Sequence, residues 1–250
     1  MISTYYQLLK KTWAVVRRDP IVLAPYMIVC MAFFLMTPMV SFNNSKSFIV
    51  ILEGCFLFLF IHPFVVSFSL SVIQKKNVAI ATHITSLLRY MPFFLIMTVI
   101  VHASSLFAGY KLSAIQLTPS MSFNDIPKND MFIIFICFVF GIIMATLTCY
   151  FYPIFFTQSK NNTPTVWGLI LQSIRFFWRF KWITLMAMLY FFLTVTMFKL
   201  FILQLSLVII PAGGNELVIY LLHALEQTFF YIMMLRLYLY LRPLANLDDN

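Results

Sequence analysis

Three times along this chain a short basic, aromatic-rich amphipathic stretch leads directly into a pair of long apolar segments. The stretches are Tyr5–Arg18, Ala79–Tyr90 and Val166–Lys181, and the pairs cover 21–40 with 48–73, 93–110 with 131–156, and 183–210 with 217–241. A recurrence every ~80 residues marks a chain assembled from similar units, all inserted the same way round. Each apolar run is at or near the ~20 residues a helix needs to cross a hydrocarbon layer roughly 30 Å thick. The pattern predicts an all-α polytopic membrane protein with six transmembrane helices in three hairpins, each preceded by a cytoplasmic interfacial amphipathic helix. Residues 1–250 then form a single membrane domain, with repeat-like units at about 1–77, 78–161 and 162–250 and no soluble domain.

Only 10% of the residues are charged and 62% are hydrophobic, against about 25% charged in an ordinary soluble domain. A soluble chain of this size could not hide 29 Phe, 12 Tyr and 4 Trp in one core without a large polar shell. Lipid removes that requirement. The longest stretch outside the spans, Ser113–Asp130, reads as a loop.

Orientation follows from the cations. One side would carry Lys10, Lys11, Arg17, Arg18, Lys75, Lys76, Arg89, Lys160, Arg175, Arg179, Lys181, Arg236 and Arg242, accompanied only by Asp19, Asp248 and Asp249. The other side has Lys46, Lys111, Lys128 and Lys199 against Glu53, Asp125, Asp130, Glu216 and Glu226. The positive-inside rule places both termini in the cytoplasm. The net charge of +9 is therefore one-sided and reads as attraction to anionic lipid headgroups, not to nucleic acid. The first apolar run ends in Thr-Pro-Met-Val without a small-residue cleavage pattern, so it reads as a retained anchor. The four cysteines, Cys30, Cys55, Cys137 and Cys149, lie in predicted spans without paired spacing and read as small buried hydrophobes.

In the first amphipathic stretch Gln7, Lys10, Lys11, Arg17 and Arg18 oppose Tyr5, Leu8, Leu9, Trp13 and Val16. In the second, Thr82, Thr85, Ser86 and Arg89 oppose Ile80, Ile84, Leu87, Leu88 and Met91. In the third, Gln172, Arg175 and Arg179 form a narrow stripe on a body that includes Trp167, Ile170, Ile174 and Trp178. Helices of this kind lie in a membrane interface, apolar side down and basic side toward phosphates. Pro20 and Pro92 fall where the first two stretches give way to spans, and the third has Lys181-Trp182 there instead. The candidate anionic-lipid contacts are Lys10, Lys11, Arg17, Arg18, Arg89, Arg175, Arg179 and Lys181. The same helices could instead only brace the bundle, or dock a protein partner or a second copy of the chain.

The run Tyr231-Ile-Met-Met-Leu-Arg-Leu-Tyr-Leu-Tyr-Leu-Arg242 resembles the end of the YciC family of bacterial inner-membrane proteins. Tyr152-Pro-Ile-Phe-Phe156, the polar turn from Gln158 to Asn162 and the helix from Trp167 to Trp182 are similar to that family's fourth span, turn and amphipathic helix. The opening, Tyr5-Tyr-Gln-Leu-Leu through Arg17-Arg-Asp-Pro20, is similar to the family's start. Relatives often carry a Pro-Gly pair early in the fourth span, whereas this chain has only Gly141. The resemblance implies an integral inner-membrane protein with no assigned activity. A more distant likeness in layout is to the membrane domains that precede glycerophosphodiester phosphodiesterases, whose catalytic domain has no counterpart here.

No His-Glu-x-x-His, Gly-x-Ser-x-Gly, phosphate-binding Gly-rich loop or Cys-x-x-Cys occurs, so no catalytic residue, metal site or cofactor is expected. An ionisable group in hydrocarbon costs ~2.5–3.5 kcal/mol or more and usually has a reason. Glu53, His62, His102, Lys199, His223 and Glu226 are such groups, His62 and His102 nearer the middle of their helices, and the candidate polar site within the spans is Glu53, His102, Lys199, His223 and Glu226. His223 and Glu226 share a helix face, and a Lys199–Glu226 pair would neutralise both charges. Pairing, a polar substrate or proton path, and a metal or catalytic site all remain open. Pro63 and Pro153 are expected to kink the second and fourth spans. The expectation is a non-catalytic accessory membrane protein that binds lipid or a partner; the alternatives are a small-molecule or lipid transporter or channel, and an intramembrane enzyme.

Overall fold

A computed structural model describes residues 2–36, 55–76, 79–114, 128–158, 165–209 and 214–247. Among these residues there are helices and turns and no strand. Helix α1 is Ile2–Arg18. It stops at Asp19, whose carboxylate accepts from the Ile21 N–H and caps a short 3-10 turn, Pro20–Leu23. That turn feeds α2, Ala24–Met36. A π-helical segment, Leu57–Ile61, runs into α3, His62–Ile73. Then come α4, Ile80–Ala114; α5, Lys128–Leu147; and α6, Phe151–Thr157. The last three are α7, Val166–Arg179; α8, Lys181–Ile209; and α9, Gly214–Leu247.

Among the described residues four segments are long and apolar enough to cross a membrane: Ile80–Ile100, Met131–Thr157, Lys181–Ser206 and Leu217–Ala245. Two shorter apolar helices, Pro20–Ala32 and Leu59–Ile73, fall in the first predicted pair. The described part of α2, 13 residues, is about 20 Å long. Outward faces are strongly apolar: Phe132, Phe135 and Phe140 on α5, and Met197, Phe198 and Phe201 on α8, are all exposed. A water-facing surface rarely tolerates patches of this kind, whereas lipid solvates them.

Helix α9 is the axis of the packing. Ile232, Met233, Met234 and Leu235 are consecutive and all buried, so neighbours cover this turn on every side. The neighbours are α1, α2, α3, α6 and α8. Helix α2 packs on α9 far more than on the π segment of the second apolar run. Helices α4 and α5 form the most extensive pair. Helix α8 runs antiparallel to α9, with Phe191 and Phe192 against Phe230 and, further along, Lys199 against Glu226. The start of α8 and the end of α9 therefore lie at one end. Helix α1 joins them there, stacking Tyr5 on Tyr190 and Trp13 on Phe229. Arg18 Nη1 donates to the Val72 carbonyl, 3.3 Å away, which brings the end of α3 to the same place.

The second amphipathic stretch is not a separate interfacial element. It is the first part of α4, which continues through Pro92 for 35 residues, about 52 Å. One buried stripe, His83, Leu87, Phe94 and Met97, holds both halves against the protein in a single register. Proline deprives the Leu88 carbonyl of its partner, and Leu88 sits on an exposed turn where that loss is tolerated. The third stretch is separate: Thr165 Oγ1 accepts from the Gly168 N–H at 3.1 Å to start α7, and Phe180 divides α7 from α8. The fourth predicted span bends at 148–150, just before Pro153 removes a helical donor.

Candidate functional site

Pro63 shapes the polar interior. It has no N–H, so the helix before it cannot keep its 3.6-residue ladder, and His62 N–H reaches back five residues to the Leu57 carbonyl. The inserted residue turns the helix phase by about 100° and places His62 in the core. There His62 Nδ1 and the Tyr231 hydroxyl of α9 share a hydrogen bond of 2.8 Å, with ring centroids 4.2 Å apart. Tyr26 of α2 lies 5.5 Å from the His62 ring and Tyr152 of α6 meets it edge-on at 6.5 Å. Four helices thus converge on one imidazole. The Tyr26 hydroxyl is buried and has no hydrogen-bond partner among the described residues.

A cavity of about 390 Å³ opens beside this cluster, and its lining includes His62, Tyr152, Tyr231, His223, Glu226 and Gln227. Met97 of α4, Gly141 of α5 and Met188 of α8 supply apolar wall. The volume is within the range of small-molecule sites. Lys199 Nζ donates to Glu226 Oε2, and His223 Nδ1 stands 3.7 Å from the same oxygen. The cavity can accommodate water or a small polar molecule against two imidazoles, a carboxylate and phenols. Among the described residues no three His, Cys, Asp or Glu side chains gather as metal ligands would.

The structure brings Lys199, His223 and Glu226 together and adds His62 to the same cavity. Glu53 lies outside the described residues, as does the side chain of His102, which belongs to α4. The sequence reading missed Tyr26, Tyr152, Tyr231 and Gln227. The signal for the three phenols was tyrosine in the middle of apolar runs, since a phenol buried there needs a polar neighbour.

The second candidate region is the basic end. All four tryptophans, Trp13, Trp167, Trp178 and Trp182, are more than half exposed. Lys181 Nζ sits between two of them, 4.9 Å from the Trp178 ring and 5.8 Å from Trp182. Arg89 lies over Tyr90 at 5.8 Å and Arg179 over Phe180 at 5.9 Å. Lys10, Lys11, Arg17 and Arg175 are exposed and make no ion pair among the described residues. Gln158 and Gln172 join the end of α6 to α7 at 2.5 Å, and Ser173 Oγ donates to the Leu147 carbonyl at 3.2 Å, fixing α7 against the bundle. A cleft of about 630 Å³ separates the first half of α1 from α8 and the last third of α9, with Lys11 and Arg236 on its walls. Arg236 was counted from the sequence only as a charge on the basic side; its position in this cleft was not foreseen. Comparison with family models, curated proteins and solved structures returns no match.

Proposed function

We propose that this is a non-catalytic multi-pass protein of a bacterial inner membrane that gathers anionic lipid headgroups at a basic, aromatic collar on the cytoplasmic side. The proposal includes six spans in three hairpins, both termini in the cytoplasm, and kinship with the YciC-like proteins whose closing run 231–242 resembles. The observation that carries it is the placement of all four tryptophans, exposed, on or beside the helices that bear the exposed cations Lys10, Lys11, Arg17 and Arg175. Tryptophan favours the headgroup level, and each basic residue there is worth about 1 kcal/mol of attraction to an anionic leaflet.

The test is extraction with the surrounding lipid into native nanodiscs, followed by lipid mass spectrometry. Replacing Arg175, Arg179 and Lys181 together by Gln is expected to lower the anionic fraction at least twofold; an unchanged lipid profile would overturn the proposal. A second reading, a transporter or channel for a small polar molecule, rests on the cavity lined by His62, His223 and Glu226. It predicts labelling of His223→Cys by membrane-impermeant thiol reagents in a background lacking the native cysteines. Complete protection there counts against a path open to the outside.

A further inference from the structure

The cleft between α1 and α9 differs from the rest of the collar because one donor of its half-buried arginine is covered. Arg236 lies six residues before Arg242, about 9 Å deeper along the same helix. Its Nε is buried and has no hydrogen-bond partner among the described residues. A guanidinium in such a place is normally paired, because leaving its donors unmet is costly. No carboxylate lines the cleft among the described residues. The second charge is another cation, Lys11, so the site is built to be completed by an anion.

The donors come from different sides. Lys11 and Gln7 are four apart and share a face of α1 with Ser3, one turn further back. Ser3 and Thr4 add hydroxyls from the first turn, where backbone N–H groups lack helical acceptors. Arg236 approaches from α9, with Tyr240 one turn on. A carboxylate offers two acceptors in one plane; a phosphate offers several arranged tetrahedrally, and an arginine fork matches two of them. The remaining walls, Leu8, Ile183 and Leu239, are apolar.

We propose that this cleft holds the phosphate ester of an anionic amphiphile, with Arg236 as the primary partner and Lys11 as the second. This rests on the headgroup-binding reading above, but it specifies one site instead of a diffuse collar. The mixed lining favours a phospholipid over a soluble phosphate ester, since the acyl chains can leave along the apolar wall.

The test is native mass spectrometry of the full chain in mild detergent, after delipidation. Phosphatidylglycerol, phosphatidic acid, oleic acid and glycerol 1-phosphate are added separately. The wild type is expected to retain one phospholipid, with retention at least tenfold weaker in Arg236→Gln. Arg236→Lys should fall between the two, and Lys11→Gln, at an exposed position, should weaken retention while preserving the fold. Glycerol 1-phosphate binding that is lost in Arg236→Gln supports the phosphate site and identifies a soluble ester as its occupant. Oleic acid held as well as phosphatidic acid overturns the assignment to phosphate. Equal retention by wild type, Arg236→Gln and Lys11→Gln overturns the site but leaves the collar standing, provided the Arg175, Arg179 and Lys181 triple variant still loses anionic lipid in nanodiscs. If that variant loses none and the wild type retains no phospholipid, both fail.

Discussion

Removing one partner of the Lys199–Glu226 pair should cost far more than removing both. The side chains are 27% and 14% exposed, so the pair is neither a solvated surface contact nor a sealed one. Exposed pairs are worth about 0.2–1 kcal/mol. Breaking a buried pair costs about 3–5 kcal/mol, because a lone charge is left behind. A stranded ammonium within a span costs ~2.5–3.5 kcal/mol on the insertion scale. Partial exposure reduces this, and Glu226→Gln is expected to lose about 2–3 kcal/mol. Lys199→Met should lose less, about 1–2 kcal/mol, because His223 Nδ1 is 3.7 Å from the stranded carboxylate and can remain its partner. The double variant Lys199→Met/Glu226→Gln is expected within about 1 kcal/mol of wild type, since replacing a whole buried pair is often neutral. The assay is reversible unfolding in mixed micelles across an SDS titration, read as a double-mutant cycle with a coupling of about 3–4 kcal/mol. A charge-swapped Lys199→Glu/Glu226→Lys variant serves as a geometric control, expected to recover part of the loss. Single variants each within about 0.5 kcal/mol of wild type, or a double variant as poor as the sum of the singles, would refute the reasoning.

Tyr231→Phe removes the partner of His62 without changing shape, and should lower stability by about 1 kcal/mol in the same titration. Pro92→Ala restores the missing bond to the Leu88 carbonyl in a helix that is already continuous; it is expected to stabilise by about 1–3 kcal/mol, and a destabilised variant would mean that the proline shapes α4. Tryptophan fluorescence should be quenched more by lipids brominated near the glycerol end than by lipids brominated near the chain terminus, because all four indoles sit on or beside the basic amphipathic helices. The reverse order would place these helices deep in the hydrocarbon.

The helical character of the chain and its four segments apolar and long enough to cross a membrane were legible because span length and helical periodicity are local properties. The Lys199–Glu226 contact was legible too: two opposite charges in consecutive apolar runs have few other ways to be neutralised. The fate of the second lead-in was not. A proline at the first position of a helix and one inside it look alike in sequence, and it is the buried stripe from His83 to Met97 that carries α4 through Pro92. The π segment hid the side of the helix on which His62 falls, because a 3.6-residue projection fails once a residue is inserted ahead of it. Its partner Tyr231 is 169 residues away, a distance that periodicity does not reach. Arg236 looks in sequence like any other cation of the collar, and only the seating of α1 on α9 shows that it lines a cleft with its Nε covered.

The central position of α9 has a consequence for biosynthesis. Ribosomes deliver this chain from the other end, so α1, α2, α3, α6 and α8 all emerge before the helix against which each of them packs. Until residues 214–247 arrive, Tyr26 and His62 have no Tyr231 to complete their cluster, and Lys199 has no counter-ion. The early helices must wait in the bilayer or at the translocon, with their polar groups sheltered by one another or by a chaperone. A chain truncated before α9 would keep that charge and those phenols unmet, so the packing of five earlier helices is completed only by the last described one.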